Sequence, residues 1–258
     1  MEQVRYEVLD GIAEITLANP PANALTEQMV GQVIAALDRA AQDADAAAVI
    51  IRSAVDRRFC AGLDLLVLAG ASDKKVRSLL DKLYPGLLEA QMRLDKPSIA
   101  AVAGAARGGG MTLAISCDLL VAGRSASFGY PEIDVGVLPA IHFTHLPRVV
   151  GRHRAFDLLF TGRTFGAEEA QSLGLVSRVV PDDRVMEEAR NLAHLLTRKS
   201  PRALKTGRKA FHNACDNGYR QGVEAAVDIF CGVATSTEGR EGLQAFVEKR
   251  EPSWGGER

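Results

Sequence analysis

An α/β fold of layered sheets with helices on the outside is predicted by three features of the sequence. Short β-rich runs alternate with helical stretches through the N-terminal two-thirds, an Asp-Gly pair joins the first two runs, and the helices stand as crossovers between later ones. With 258 residues, 47% of them hydrophobic, the chain can build one large core or a core with a small appended unit.

In order, Tyr6 to Leu9 and Ala13 to Ala18 flank Asp10-Gly11 as a hairpin, because Asp-Gly suits the tight turn that twisted strands require. A helix follows from Thr26, its N-cap, to about Asp43, with Met29, Val33, Ile34 and Leu37 on one apolar face. Next come a strand over Ala48 to Ser53, a mobile polar segment around Ala71 to Lys75, a helix from Val76 to Leu94 and a strand from Ser98 to Ala103. From about Gly151 the chain reads as almost wholly helical, which makes a C-terminal helical unit.

The segment after the Ser98 strand carries the strongest chemical signal. Gly108, Gly109 and Gly110 lead directly into an apolar helix, Met111 to Cys117. Glycines leave backbone N–H groups approachable, and the first N–H groups of a helix lack internal partners, so the turn suits a negative oxygen. The other reading is a turn that only packs strand against helix. A nucleotide P-loop is excluded, because Gly110 and Met111 stand where Lys and Ser/Thr belong, and GxGxxG is absent. A second small-residue turn, Phe59-Cys60-Ala61-Gly62-Leu63-Asp64-Leu65, can present the Ala61 N–H beside that of Gly109. Two such donors make an oxyanion hole, worth roughly 3 kcal/mol each when charge develops on a carbonyl oxygen. Cys60, Leu63, Gly110 and Thr112 flank these donors and are expected to line the substrate position.

With these two motifs the chain resembles the crotonase superfamily, the enoyl-CoA hydratases and isomerases. The resemblance runs from about Tyr6 to Trp254 and includes Asn19 to Leu25, Cys117-Asp118, Phe128 to Ile133, Leu159 to Gly162, Ala170 to Val180 and Phe246 to Pro252. It implies a ββα spiral acyl-CoA-binding core, residues 1–198, and a helical oligomerisation region, residues 199–258. It also implies a homotrimer or dimer of trimers acting on an acyl-CoA thioester, with no metal or redox cofactor required. In the superfamily a glutamate in the Pro131-Glu132-Ile133 setting exchanges a proton with the substrate or its water. The residues alone leave a surface turn glutamate as the alternative, although apolar neighbours such as Val135 and Val137 would raise the pKa of the Glu132 carboxyl by desolvation.

Two departures from the family pattern bear on the reaction. Hydratases usually carry a glutamate two residues after the three glycines, where this chain has Thr112, so a single-glutamate isomerase or a hydratase with another helper is expected, the alternatives being a crotonase-type acyl-CoA hydrolase or decarboxylase or a low-turnover acyl-CoA-binding module. A loop that is glycine-rich in many relatives here holds His142 and His145, either of which can supply the second proton-transfer group or cap and pack a helix beginning near Thr144. Arg57, Arg58, Arg107 and Lys249 are the candidate partners of CoA phosphates, the bland reading being solvated surface. Phe246 and Lys249 match residues that relatives often place near a neighbouring subunit's CoA.

Composition limits the rest. A net charge of −1 gives no field for nucleic acid or an anionic membrane, and no apolar run has transmembrane length. Met1-Glu2-Gln3 lacks signal-peptide character, so a cytoplasmic protein is expected. Cys60, Cys117, Cys215 and Cys231 are scattered without metal spacing and read as reduced packing thiols.

Overall fold

The computed structural model describes residues 2–215 and 218–253; Trp254 lies outside them. The hairpin forms as expected between β1 (Val4–Leu9) and β2 (Ile12–Leu17), with Asp10 and Gly11 both at positive φ, +48° and +77°. Thr26 caps α1 (Glu27–Gln42), its Oγ1 accepting the Met29 N–H at 3.1 Å, and Met29, Val33 and Leu37 are buried. β3 (Ala48–Ser53) then lies parallel to β2, and β4 (Arg58–Cys60) turns away into another sheet.

A four-residue helix, α2 (Leu65–Leu68), is too short to leave a periodic signal; it starts where Asp64 Oδ1 accepts the Leu66 N–H. The polar segment expected to be mobile is in part α3 (Asp73–Asp81), which begins behind Ser72. The single helix expected over Val76 to Leu94 is interrupted by a π turn, Lys82–Gly86, before α4 (Leu87–Arg93). Pro85 is the cause: it has no N–H for the ordinary i→i−4 bond, and Leu87 bonds instead to the Lys82 carbonyl five residues back.

Strands now alternate between two sheets. β5 (Ser98–Val102) joins the first and β6 (Ala105–Arg107) the second; after α5 (Gly109–Ile115), β7 (Leu119–Gly123) joins the first and β8 (Ser127–Gly129) the second. A 3₁₀ turn, Pro131–Val135, leads to α6 (His142–Val150), α7 (Arg152–Thr161), β9 (Thr164–Gly166), α8 (Ala167–Ser172), β10 (Arg178–Val180) and α9 (Val185–Thr197). The sheets run β1-β2-β3-β5-β7-β10 and β4-β6-β8-β9. The inner strands β3, β5 and β7 of the first sheet are mostly apolar on both faces. Val49, Ile51 and Ala100 point to the main core, while Ile50, Ile99 and Val121 meet Val185, Ala189 and Leu192 of α9.

The last three helices are α10 (Pro201–Cys215), α11 (Tyr219–Ala234) and α12 (Thr237–Glu248). α10 is mostly exposed and is held by Arg208 and His212, which both bond the Asp118 carboxylate. α11 and α12 return to the body, and Val223, Val227, Phe230 and Leu243 belong to the same apolar cluster as the β2 and β3 residues. The main core is therefore continuous across the boundary expected at residue 198.

Candidate active site

A cleft of about 750 Å³ opens where the glycine turn, the Gly62 turn, the 3₁₀ turn and the π turn meet beneath α11 and α12. Gly108 has φ +47°, and α5 starts at the next residue, so the Gly109 N–H lies in the first helical turn, where no carbonyl within the helix is available to it. Gly62 has φ +90°, and a side-chain carbon there would stand 2.7 Å from the Arg107 oxygen and 3.1 Å from the Gly109 nitrogen. Only glycine permits the two loop ends to approach so closely.

This contact corrects the expected donor pair. The Ala61 N–H donates to the Ala22 carbonyl at 3.0 Å and is not available to a ligand. The next turn is tied by Leu25 N–H to the Gly62 carbonyl at 2.7 Å and by Asp64 N–H to the Leu25 carbonyl at 3.0 Å. Between these bonds the Leu63 N–H has no acceptor among the described residues, and it lies 3.4 Å from where a Gly109 side-chain carbon would be. The two bare donors facing the cleft are thus Leu63 and Gly109.

Glu132 stands beside them. Its Oε1 would lie 2.5 Å from a side-chain carbon at Gly108, so the carboxylate rests directly on the glycine turn. Its Oε2 is buried with no hydrogen-bond partner among the described residues, and burial, assisted by the charge of Asp134, pushes the carboxyl up to about 7. Asp134 lines the same cleft, two residues on in the same 3₁₀ turn.

Several expected contacts are absent from the cleft lining. Thr112 is 4% exposed, and its Oγ1 lies 3.2 Å from His142 Nε2; His142 is 1% exposed and its ring sits 4.5 Å from that of Tyr130. α6 begins at His142, not near Thr144, and this buries the imidazole. Burial drives His142 down to about 3, and burial together with Arg148 drives His145 down to about 4, so both are neutral at pH 7 and neither titrates near neutrality as expected. Neither histidine reaches the cleft lining. Cys60 is fully buried, its thiol pushed up to about 12 and donating to the Asn23 carbonyl, while Gly110 packs so tightly on Cys60 that a side-chain carbon would come 2.3 Å from its oxygen. Both sit behind the cleft.

Among the expected cations, Lys249 and Arg107 line the cleft. The Arg107 guanidinium is anchored to β8, through the Ser127 carbonyl at 2.7 Å and the Ser127 Oγ at 2.9 Å. Arg58 is exposed on β4, and Arg57 faces a separate hollow shared with Asp182 and Asp183. Phe246 and Lys249 reach the cleft from α12 of this same chain. Tyr84 and Phe230 line it as well and were missed; Pro85 within a helical pattern is the sequence mark that points to the Tyr84 turn. Among the described residues no group of three or more His, Cys, Asp or Glu side chains could hold a metal, and no helix is long and apolar enough to cross a membrane.

Comparison with known proteins gives concordant results. A family model described as enoyl-CoA hydratase/isomerase matches residues 7–257. The chain is 38% identical over 255 residues to a probable enoyl-CoA hydratase of Mycobacterium bovis, with 98% of each chain covered. It is 36% identical to the 2,3-dehydroadipyl-CoA hydratase of Escherichia coli, with 94% of each covered. Among solved structures, an enoyl-CoA hydratase from Bacillus anthracis superposes with a TM-score of 0.79 at 32% identity, over 99% of this chain and 100% of that one.

Proposed function

The chain belongs to the enoyl-CoA hydratase/isomerase family and has its crotonase fold, and from that premise we propose that Leu63 N–H and Gly109 N–H hold a thioester oxygen while Glu132 moves a proton at the acyl chain. The observation that carries this reading is the Glu132 carboxylate resting on Gly108, one residue from a bare donor, with its pKa raised to about 7. As Glu132 takes a proton from the α-carbon, the electron pair moves onto the thioester oxygen, and the two donors stabilise that charge by roughly 3 kcal/mol each. Return of the proton at the γ-carbon completes a double-bond shift; in a hydration Glu132 instead takes its proton from water as the water oxygen bonds to the β-carbon, and delivers that proton to the α-carbon. Neither route transfers electrons to another molecule, so no redox carrier is needed. Lys249 at the cleft is the cation best placed for the CoA phosphates. Residues 199–258 serve as the oligomerisation region of a trimer or dimer of trimers, a reading supported by the exposed face of α10 with Phe211 on it.

The direct test is exchange of the α-hydrogen of a saturated acyl-CoA in deuterated water. Glu132→Gln should lower the exchange rate by about 10²-fold or more while leaving thioester binding nearly intact. Exchange near the unmodified rate in the purified variant would remove Glu132 from the mechanism.

A further inference from the structure

The Gly109 N–H is one half of a peptide unit whose other half is the Gly108 carbonyl, and in a planar trans peptide the two point in opposite directions. Whatever holds that carbonyl therefore aims the N–H. Gly108 sits at φ +47° and ψ −115°, and with no side chain to pack, its direction has to be fixed by its bonds. Its carbonyl accepts the Met111 N–H at 2.9 Å and the Thr112 N–H at 3.1 Å, and its own N–H donates to the Gly129 carbonyl at 3.1 Å.

Thr112 is where a second element enters. Its Oγ1 lies 3.2 Å from Nε2 of His142, which α6 brings in from 30 residues further along the chain. His142 is almost fully buried, and its Nδ1 has no hydrogen-bond partner among the described residues. Burial and the neighbouring His145 drive the imidazole down to about 3, while the Gly108 backbone opposes them, as a carbonyl does when it faces a ring N–H. The imidazole also meets the ring of Tyr130, 4.5 Å away and tilted by 55°, and Tyr130 is the residue from which the 3₁₀ turn bearing Glu132 starts. One neutral side chain thus joins both halves of the site: the donor peptide through Thr112, and the turn of the carboxylate through Tyr130.

Building on the enolate reading above, we propose that His142 is a positioning residue: with its ring proton on Nε2, directed at Thr112 Oγ1 and the Gly108 carbonyl, it locks the Gly108–Gly109 peptide so that the Gly109 N–H points at the thioester oxygen. It stays behind the cleft and exchanges no proton with the substrate. A carbonyl that accepts hydrogen bonds also polarises its own amide, which strengthens the N–H on the far side as a donor. The gain is largest where charge builds on the thioester oxygen, so it belongs to kcat more than to KM.

Exchange of the α-hydrogen of a saturated acyl-CoA in deuterated water reads this directly. His142→Phe keeps a ring against Tyr130, Thr112→Val keeps the shape of the threonine, and each removes one polar partner of the pair. Each should lower kcat for exchange by about 10-fold with KM within about 2-fold, and leave in place the rise of rate with pH through about 7. The double variant should lose no more than about 10-fold, since the two residues act as one unit. Thr112→Ser, which restores the hydroxyl, should recover most of what Thr112→Val loses. Removing both partners leaves no polar group of the pair unmatched, so a pair that serves only to pack the core would regain the unmodified rate in the double variant, and that result overturns the proposal. Unmodified exchange in either single variant, multiplied losses in the double variant, or loss of the rising limb with pH also overturns it. A single variant that does not fold leaves the double variant to decide. An unmodified protein that fails to exchange at all refutes the enolate reading itself, and this proposal falls with it.

Discussion

Glu132 draws its use as a proton carrier from a lack of partners: among the described residues one carboxylate oxygen is buried and unbonded, and the other lies on a residue with no side chain. To remove a proton it must be ionised, so α-deuterium exchange should rise with pH through a midpoint near 7, set by its raised pKa. His142 and His145 are already neutral at that pH, so no second limb should appear between about pH 5 and 9; a histidine-dependent limb in a pH–rate series would contradict this. Gly108→Ala should cost about 10²-fold or more in exchange, because its methyl would occupy the space of Oε1 on a backbone already at φ +47°. The residues around Glu132 made it only partly legible: its apolar neighbours pointed to a raised pKa, a surface turn glutamate stood beside that reading, and the family resemblance carried the choice. The donor pair was only half legible: whether Ala61 or Leu63 keeps a free N–H depends on carbonyls that arrive from Ala22 and Leu25, some forty residues earlier in the sequence numbering.

Elements with a strong local signature formed where the sequence predicted them, among them the Asp10-Gly11 hairpin and the Thr26-capped helix, since their dihedrals and caps are chosen within a few residues. The α3–π–α4 helix and the start of α6 were less legible, because Pro85 was absorbed by a π turn without ending the helix and His142 was buried by tertiary packing on Tyr130. α10 shows an attachment that periodicity does not reveal. Its contact with the body is polar, Arg208 and His212 converging on an Asp118 that also accepts the Ser98 N–H and Oγ–H. Arg208 has a side chain only 9% exposed, so Asp118→Ala leaves a nearly buried cation unmatched and should destabilise the fold by about 3 kcal/mol. A urea midpoint matching the unmodified protein would show that the helix is held by something else.

At the scale of the molecule, the buried imidazoles give stability a defined acid limb. Each has an ordinary pKa near 6.5 when unfolded and one depressed to about 3 or 4 when folded, so between these values the unfolded chain binds protons that the native chain refuses. Stability contributed this way is present above about pH 6.5 and is lost as the pH falls toward 4. Glu132 acts in the opposite sense, favouring the folded state less as pH rises from about 4.5 to 7. His142→Phe should therefore flatten the fall in urea midpoint between about pH 6.5 and 4, and an unchanged slope would place the acid limb elsewhere. Assembly is tested at the same scale: light scattering at micromolar concentration should give a trimer or a multiple of it, and a monomer alone would refute the oligomerisation role of residues 199–258.

The meeting of Gly62 with Arg107 and Gly109 has a mechanical consequence. Two backbones with no room for even one side-chain carbon between them leave little slack on the near side, so repacking of the surrounding core has little scope to bring the Leu63 and Gly109 donors closer together. Disturbance from outside has more room to spread them. The tolerance of this enzyme to change is accordingly one-sided, bounded by steric contact on the near side and left to the strength of the surrounding packing on the far side.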